Sequence, residues 1–367
     1  GCLRNIGEIY FNLIDYKQAI DYLKRALSLA KKIHDYQEES ESLASLGRVY
    51  LVQQNVEQAI ECYQTSLSIA QKIGCRQDEE LALGNLGSAY LLLGQNVQAV
   101  QYLEKSLKIA NEISDRRGQE KSLETLGTFY HRQRDYEQAI GYYQKSLKMA
   151  QQLGDLFWES RVLRSLGNLY AITDKYDNAI QCYEQSREIA QQVQDCPGEE
   201  AALAYLGTLY VDLDQPVRAI EYFEQSLAIS EQLNDLPAQG EYLEDLGEAY
   251  LNLENYKTAL NYFERSLVIR QEIEDYQGQG EVLQNLGLTY EAIKDYRAMF
   301  CYQQSLQIAE ELQDPLMEFN ALSNLGDFYS VLGLNNKAIK CYQQCLKITQ
   351  ELQTQEEGYN AEPSSKF

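Results

Sequence analysis

Apolar and polar positions along this chain repeat every 40 residues, and within each period they follow the three-and-four spacing of a helix face. The string Leu-Gly-x-x-Tyr recurs at Leu46–Tyr50, Leu86–Tyr90, Leu126–Tyr130, Leu166–Tyr170, Leu206–Tyr210, Leu246–Tyr250 and Leu286–Tyr290. A variant opens the chain at Ile6, Gly7 and Tyr10, and the last copy, Leu325, Gly326 and Tyr329, arrives one residue early. That makes nine copies with one deletion, near Arg297–Phe300 in the eighth. Twelve residues after the Gly stands a small residue, such as Ala19, Ala59, Ala139 or Ala259. Four further on comes a ring or Leu (Leu23, Tyr63, Tyr143, Phe263), and three beyond that another small residue (Ala26, Ser66, Ser146, Ser266). Each period therefore predicts two helices, crossing closely where Gly meets Ala.

The breaks between apolar stripes are as regular as the stripes. Asp15, Asn55, Asp135, Asp174-Lys175 and Asn255 precede the second helix; Asp35, Asp115, Asp155, Asp195, Asp235, Asp275 and Asp314 precede the next first helix. Asp and Asn are suited to N-capping. Of the five prolines, Pro197, Pro237 and Pro315 fall in the turn between repeats, Pro216 starts a second helix, and Pro363 lies near the end. None interrupts a helix interior, where it would cost about 3 kcal/mol.

Small–Leu–Gly–x–x–Tyr, then Ala nine residues after the Tyr, then a ring, resembles the tetratricopeptide repeat family. It is similar to the long-repeat arrays of bacterial signalling and scaffold proteins, kinesin light chains and spindle-orientation adaptors. The common family unit has 34 residues; here it is longer. The family's early Trp is replaced by Leu43, Leu83, Leu123 and Leu163, and its late Pro is missing. The resemblance implies an all-α, right-handed superhelix of about nine hairpins over residues 1–353, with 354–367 expected as a disordered tail.

Charge and composition narrow the function. The 367 residues are 44% apolar and 24% charged, with a net charge of −23. That balance disfavours nucleic acid and anionic membrane, which need clustered Lys and Arg. No apolar run reaches membrane-spanning length and no secretory leader is read, so a cytoplasmic protein is expected. Gly1 already lies inside a repeat, and we expect native sequence to be missing before it. Cys62, Cys182, Cys301 and Cys341 occupy one slot of the second helix, which argues for small buried thiols rather than disulfides. Neither Cys341–Cys345 nor the two histidines, His34 and His131, make a metal site, and no cofactor is expected.

The resemblance also places a ligand. In the family the first helices line a concave groove, at offsets six, three and two before the motif Gly and one, four and five after it. Carried onto this chain, these give a basic island of Lys121, Thr125, Thr128, His131, Arg132, Arg161, Arg164, Ser165 and Asn168. An acidic arm follows, including Glu241, Glu244, Asp245, Glu248 and Glu281. The island would hold an acidic segment or C-terminal carboxylate, the arm a basic segment. Trp158, the only tryptophan, stands where other repeats place Gly118, Gly198 and Gly278; with Arg161 one turn away it is a candidate hot spot. The expected function is a protein-interaction scaffold that is not an enzyme. The alternative is a regulatory or sensor region of a larger signalling protein. Weak end-to-end self-association is a further expectation.

Overall fold

The computed structural model describes residues 1–361, and side-chain environments through residue 353. Helices and short turns make up the described residues, with no strand among them. Two compact units, 1–179 and 180–367, are each built of helical hairpins. The first contains α1 (Cys2–Asn12), α2 (Tyr16–Ile33), α3 (Tyr36–Val52), α4 (Val56–Ile73), α5 (Arg76–Leu92), α6 (Asn96–Ile113), α7 (Arg116–Arg132), α8 (Tyr136–Leu153) and α9 (Leu156–Ile172). Helix α10 (Tyr176–Val193) includes the boundary. The second unit continues with α11 (Cys196–Asp212), α12 (Pro216–Leu233), α13 (Leu236–Asn252), α14 (Tyr256–Glu272), α15 (Tyr276–Ala292), α16 (Arg297–Leu312), α17 (Pro315–Val331) and α18 (Asn335–Ala361).

Within a hairpin, the motif Gly is a contact point rather than a hinge. A Cβ on Gly7 would lie 2.7 Å from Leu23 Cγ, one on Gly127 2.9 Å from the Tyr143 ring, and one on Gly207 2.6 Å from the Phe223 ring. The large residue of the second helix thus packs directly on the backbone of the first. Ala19, Ala59, Ala99, Ala139, Ala219 and Ala259 are fully buried at the same crossings. A second tie recurs. Serines of the second helix bond back to the first helix of the same hairpin, as Ser266 Oγ donates to Gly240 O at 2.8 Å and Ser305 Oγ to Gly280 O at 2.9 Å. The motif Tyr then stacks on a ring of the second helix: Tyr90 on Tyr102, Tyr130 on Tyr142, Tyr210 on Tyr222 and Tyr250 on Tyr262, each with centroids 5.4 Å apart.

The turns close as the caps predict. All seven inter-repeat aspartates accept a backbone N–H with their side chains, among them Asp35 from Glu38, Asp235 from Ala238 and Asp275 from Gly278. Before α10 the helix starts after Lys175; Asp174 takes a left-handed φ of 57° and accepts instead from the Tyr176 hydroxyl. His34 is the left-handed C-cap of α2. Pro197, Pro237 and Pro315 lie inside the first turns of α11, α13 and α17, slightly beyond the turn their spacing suggested. A first-turn residue has no intrahelical N–H partner to lose. The deletion in the eighth repeat is taken up between Asp295 and Ala298: α16 starts one residue late at Arg297, and Ala298 and Tyr302 still reach full burial. Helix α18 runs to Ala361, past Gln353, where the sequence places the start of a tail. The rest of the expected tail, residues 362–367, lies outside the described ones.

Candidate peptide-binding surface

Helix α7 carries the best-defined polar stripe of the first unit. Lys121, Thr125, Thr128 and Arg132 follow at intervals of four, three and four, so they share one face. Their fixed contacts differ. Lys121 Nζ donates to Asn85 Oδ1 of α5 at 3.0 Å. The Thr128 hydroxyl lies 3.0 Å from the Tyr143 hydroxyl, which anchors it to its own hairpin. His131 is half-buried, its ring 6.0 Å from that of Tyr136. Arg132 is exposed and makes neither an ion pair nor a hydrogen bond among the described residues. A depression of about 370 Å³ runs along the stripe, closed on the other side by Leu91 and Asn96.

The charge on α9 is more fully spent. Arg161 reaches Glu120 at 2.7 Å and Glu124 at 2.9 Å, both on α7. Of the four Lys and Arg side chains of the expected basic island, Arg161 is therefore balanced by the preceding repeat. Arg164 Nη1 donates to Ser160 Oγ at 3.1 Å, and Asn168 is half-buried on the same helix.

Trp158 corrects an expectation. It is 3% exposed, with its indole Nε1 buried and unbonded, so it does not present a surface for a partner. The reason is volume. At Gly118 the missing side chain is replaced by the Glu80 carboxylate, and at Gly278 by the Arg270 guanidinium. In the fourth repeat, against which Trp158 packs, Ala150 stands in the slot of Arg270, and the Glu120 carboxylate turns to Arg161. The indole fills the space that those side chains fill elsewhere.

In the second unit, Glu244 of α13 is an internal partner rather than a groove charge. Its Oε2 accepts from Arg270 Nη2 at 2.6 Å, and Arg270 Nη1 reaches Asp275 at 2.6 Å. Asn285 of α15 spans two carboxylates, donating to Glu244 at 3.0 Å and Glu248 at 2.9 Å. Glu248 stays exposed. Burial raises the carboxyl pKa of Asp245 to about 7, with the Glu248 and Glu241 carboxylates adding to the effect. On α7, desolvation by the surrounding helices lowers the pKa of Lys121.

One residue of consequence escapes the family offsets, and another, Asn85, stands at one of them, two before Gly87, without having been singled out. Asn85 is 5% exposed and orients Lys121; Glu80, also 5% exposed, is a buried carboxylate seven residues before its motif Gly, outside the groove positions. The slot of Glu80 holds an acid again at Glu120 and Glu200, and Ser40, Ser160, Gly240 and Gly280 in other repeats. All eight cysteines are free, and no group of three or more metal-ligating side chains forms among the described residues. Likewise no described helix is long and apolar enough to cross a membrane.

Comparison with curated proteins finds no match. Comparison with solved structures finds the same fold in several. The chain superposes on a signal transduction ATPase with a tetratricopeptide repeat sensor from Pyrococcus horikoshii (TM-score 0.61, 16% identity, 93% of this chain and 53% of that one). Aspartyl phosphate phosphatase F from Bacillus subtilis matches with TM-score 0.59 and 13% identity over 95% of this chain and 93% of that one. The apo quorum sensor NprR from B. thuringiensis matches with TM-score 0.58 and 12% identity over 95% and 97%. Family models described as tetratricopeptide repeat match residues 2–72, 40–112, 78–152, 118–192, 158–232, 238–311 and 319–351. With the Gly-on-ring crossing present in hairpin after hairpin, these matches show that the chain belongs to the tetratricopeptide repeat family.

Proposed function

We propose that this chain is a non-catalytic protein-interaction scaffold whose first unit holds a peptide or protein segment along α7. The observation that carries the reading is Arg132, an exposed guanidinium with no partner among the described residues, on the same face as Lys121 and beside a depression of about 370 Å³. A free guanidinium offers a planar fork to a carboxylate, and Lys121 adds a second cation three turns away. The ligand of this face is an acidic segment or a C-terminal carboxylate. Family membership supports the general reading, because these repeats bury their apolar residues in one another and leave one face for partners. A second reading, a sensor region governing an effector elsewhere in a longer protein, draws on the sensors among the structural neighbours.

The test is affinity capture from native lysate with the unaltered protein and with Lys121→Glu/Arg132→Glu, after circular dichroism confirms equal helicity. A partner retained by the first and lost by the second supports the α7 face. Equal capture by both sinks it.

A further inference from the structure

The junction between α5 and α7 contains a second pocket, of about 300 Å³, with a different chemistry. Glu80 lies in its wall, 95% buried by its 5% exposure. Its Oε1 accepts from Ser106 Oγ at 2.7 Å, and no cation stands within ion-pair distance among the described residues. Asp115, the N-cap of α7, adds a second carboxylate, and Leu81 and Leu103 supply apolar wall. Arg117 and Lys121 also border the pocket, but both are exposed and neither reaches Glu80. A buried carboxylate without a counter-charge is costly.

The repeat itself shows what such a site requires. The corresponding junction of α13 and α15 buries the opposite charge, Arg270, and the chain answers it from the groove wall with Glu244. The residue in the slot of Glu244 in the earlier junction is Gly84. There the chain buries an anion, meets it with the Ser106 hydroxyl, and brings no cation within ion-pair distance, Lys121 acting on it only from farther off. A Cβ on Gly84 would lie 3.9 Å from Glu80 Oε1, so the empty volume begins beside the carboxylate.

We infer that the pocket over Gly84 receives a cationic side chain, an arginine or lysine of the bound segment, with Glu80 as its counter-ion. Its methylene stem lies against Leu81 and Leu103 while its head group is desolvated. The inference rests on the scaffold reading for the identity of the ligand, though not for the existence of the pocket. It makes the recognised segment mixed in charge: an acid toward Arg132 and a base toward Glu80.

The test uses the full chain with isotope-labelled glycine and N-acetyl-arginine methylamide as probe, with the citrulline analogue as its uncharged counterpart. Arginine should shift the amides of Gly84 and Gly118, and citrulline should leave them in place. Glu80→Gln keeps a group for Ser106 and should weaken the arginine titration at least fivefold. Gly84→Lys places the chain's own cation in the pocket; the Ser106 hydroxyl, 3.1 Å from the new Cβ, can rotate aside. That variant should abolish the shifts and raise the denaturation midpoint. Equal shifts with citrulline, or an unchanged titration in Glu80→Gln, would overturn the inference. Amide shifts that persist while lysate capture fails would keep the pocket and reject the α7 scaffold reading; the reverse would reject the pocket alone.

Discussion

Arg270 reaches Glu244 from inside the second unit at 2.6 Å, with the two side chains 9% and 11% exposed. No other repeat pairs an Arg with an acid in these two slots; the second repeat holds Ala70 and Ala44 there. The pair is therefore an exchange of small apolar packing for a buried ion pair. Breaking it from one side should be severe. Arg270→Ala leaves Glu244 buried without its cation, and we expect a loss of about 3–5 kcal/mol in urea denaturation. Arg270→Ala combined with Glu244→Ala restores the pattern of the early repeats and should recover most of that loss. A double variant as unstable as the single would refute the assignment.

Asp245 gives the second unit a pH dependence of unusual sign. Burial, then Glu248 and Glu241, raise its pKa from 3.8 to about 7, and Arg270 opposes this only in part. Glu244 and Glu281 face the same groove, and Asn285 lies opposite. The folded state holds the proton more tightly than the unfolded one. Its stabilisation is complete below the unfolded pKa and is lost as pH rises through about 7. Midpoints should thus fall between pH 5 and pH 8, and Asp245→Asn, the residue found at Asn85 and Asn285, should reduce the slope, leaving the part that Glu244, raised to about 7 by its own burial, contributes. An unchanged slope in the variant would exclude Asp245 as its source.

Trp158→Ala should cost about 3–5 kcal/mol, although related repeats hold glycine in this slot. The glycines mislead because Glu80 and Arg270 occupy their space, whereas Ala150 cannot fill that of Trp158. Thermal denaturation would check it; a change under 1 kcal/mol would show that the neighbouring helices close over the gap.

Ile14 is a β-branched residue at φ 63°, in a turn where the third and ninth repeats place Gly94 and Gly333. A left-handed β-branched residue costs roughly 1–2 kcal/mol. Ile14 is 71% exposed, so little packing is lost on replacing it. Ile14→Gly should stabilise the first hairpin, read as slower amide exchange in α1 and α2. Faster exchange would mean that the turn holds Ile14 for another reason.

These predictions divide according to what the sequence reveals. The hairpins, the Gly-on-ring crossings and the aspartate caps were readable because each slot repeats the same residue type, and repetition reports packing. The candidate site was readable only in position. Offsets from the motif Gly placed Lys121, Thr128 and Arg132 on one face, but they could not show that Arg161 is met by Glu120 and Glu124 or Glu244 by Arg270. Such pairings join residues 26 to 41 positions apart, on different helices. Trp158 was the instructive failure. Its rarity drew attention to it, while the compensating Ala150 looked like an ordinary member of its column.

The shortened turn before α16 has a consequence for how such an array changes over generations. Losing one residue between Asp295 and Ala298 delays the helix by a residue, yet Ala298 and Tyr302 return to the same depth as their counterparts. Asp295 holds the new start by accepting the Arg297 backbone N–H at 2.9 Å and pairing with its guanidinium. Length errors at this point are absorbed before they reach the next interface. An insertion or deletion here is a nearly silent mutation, whereas the same change within the α15 stripe would rotate every later side chain by about 100° about the helix axis.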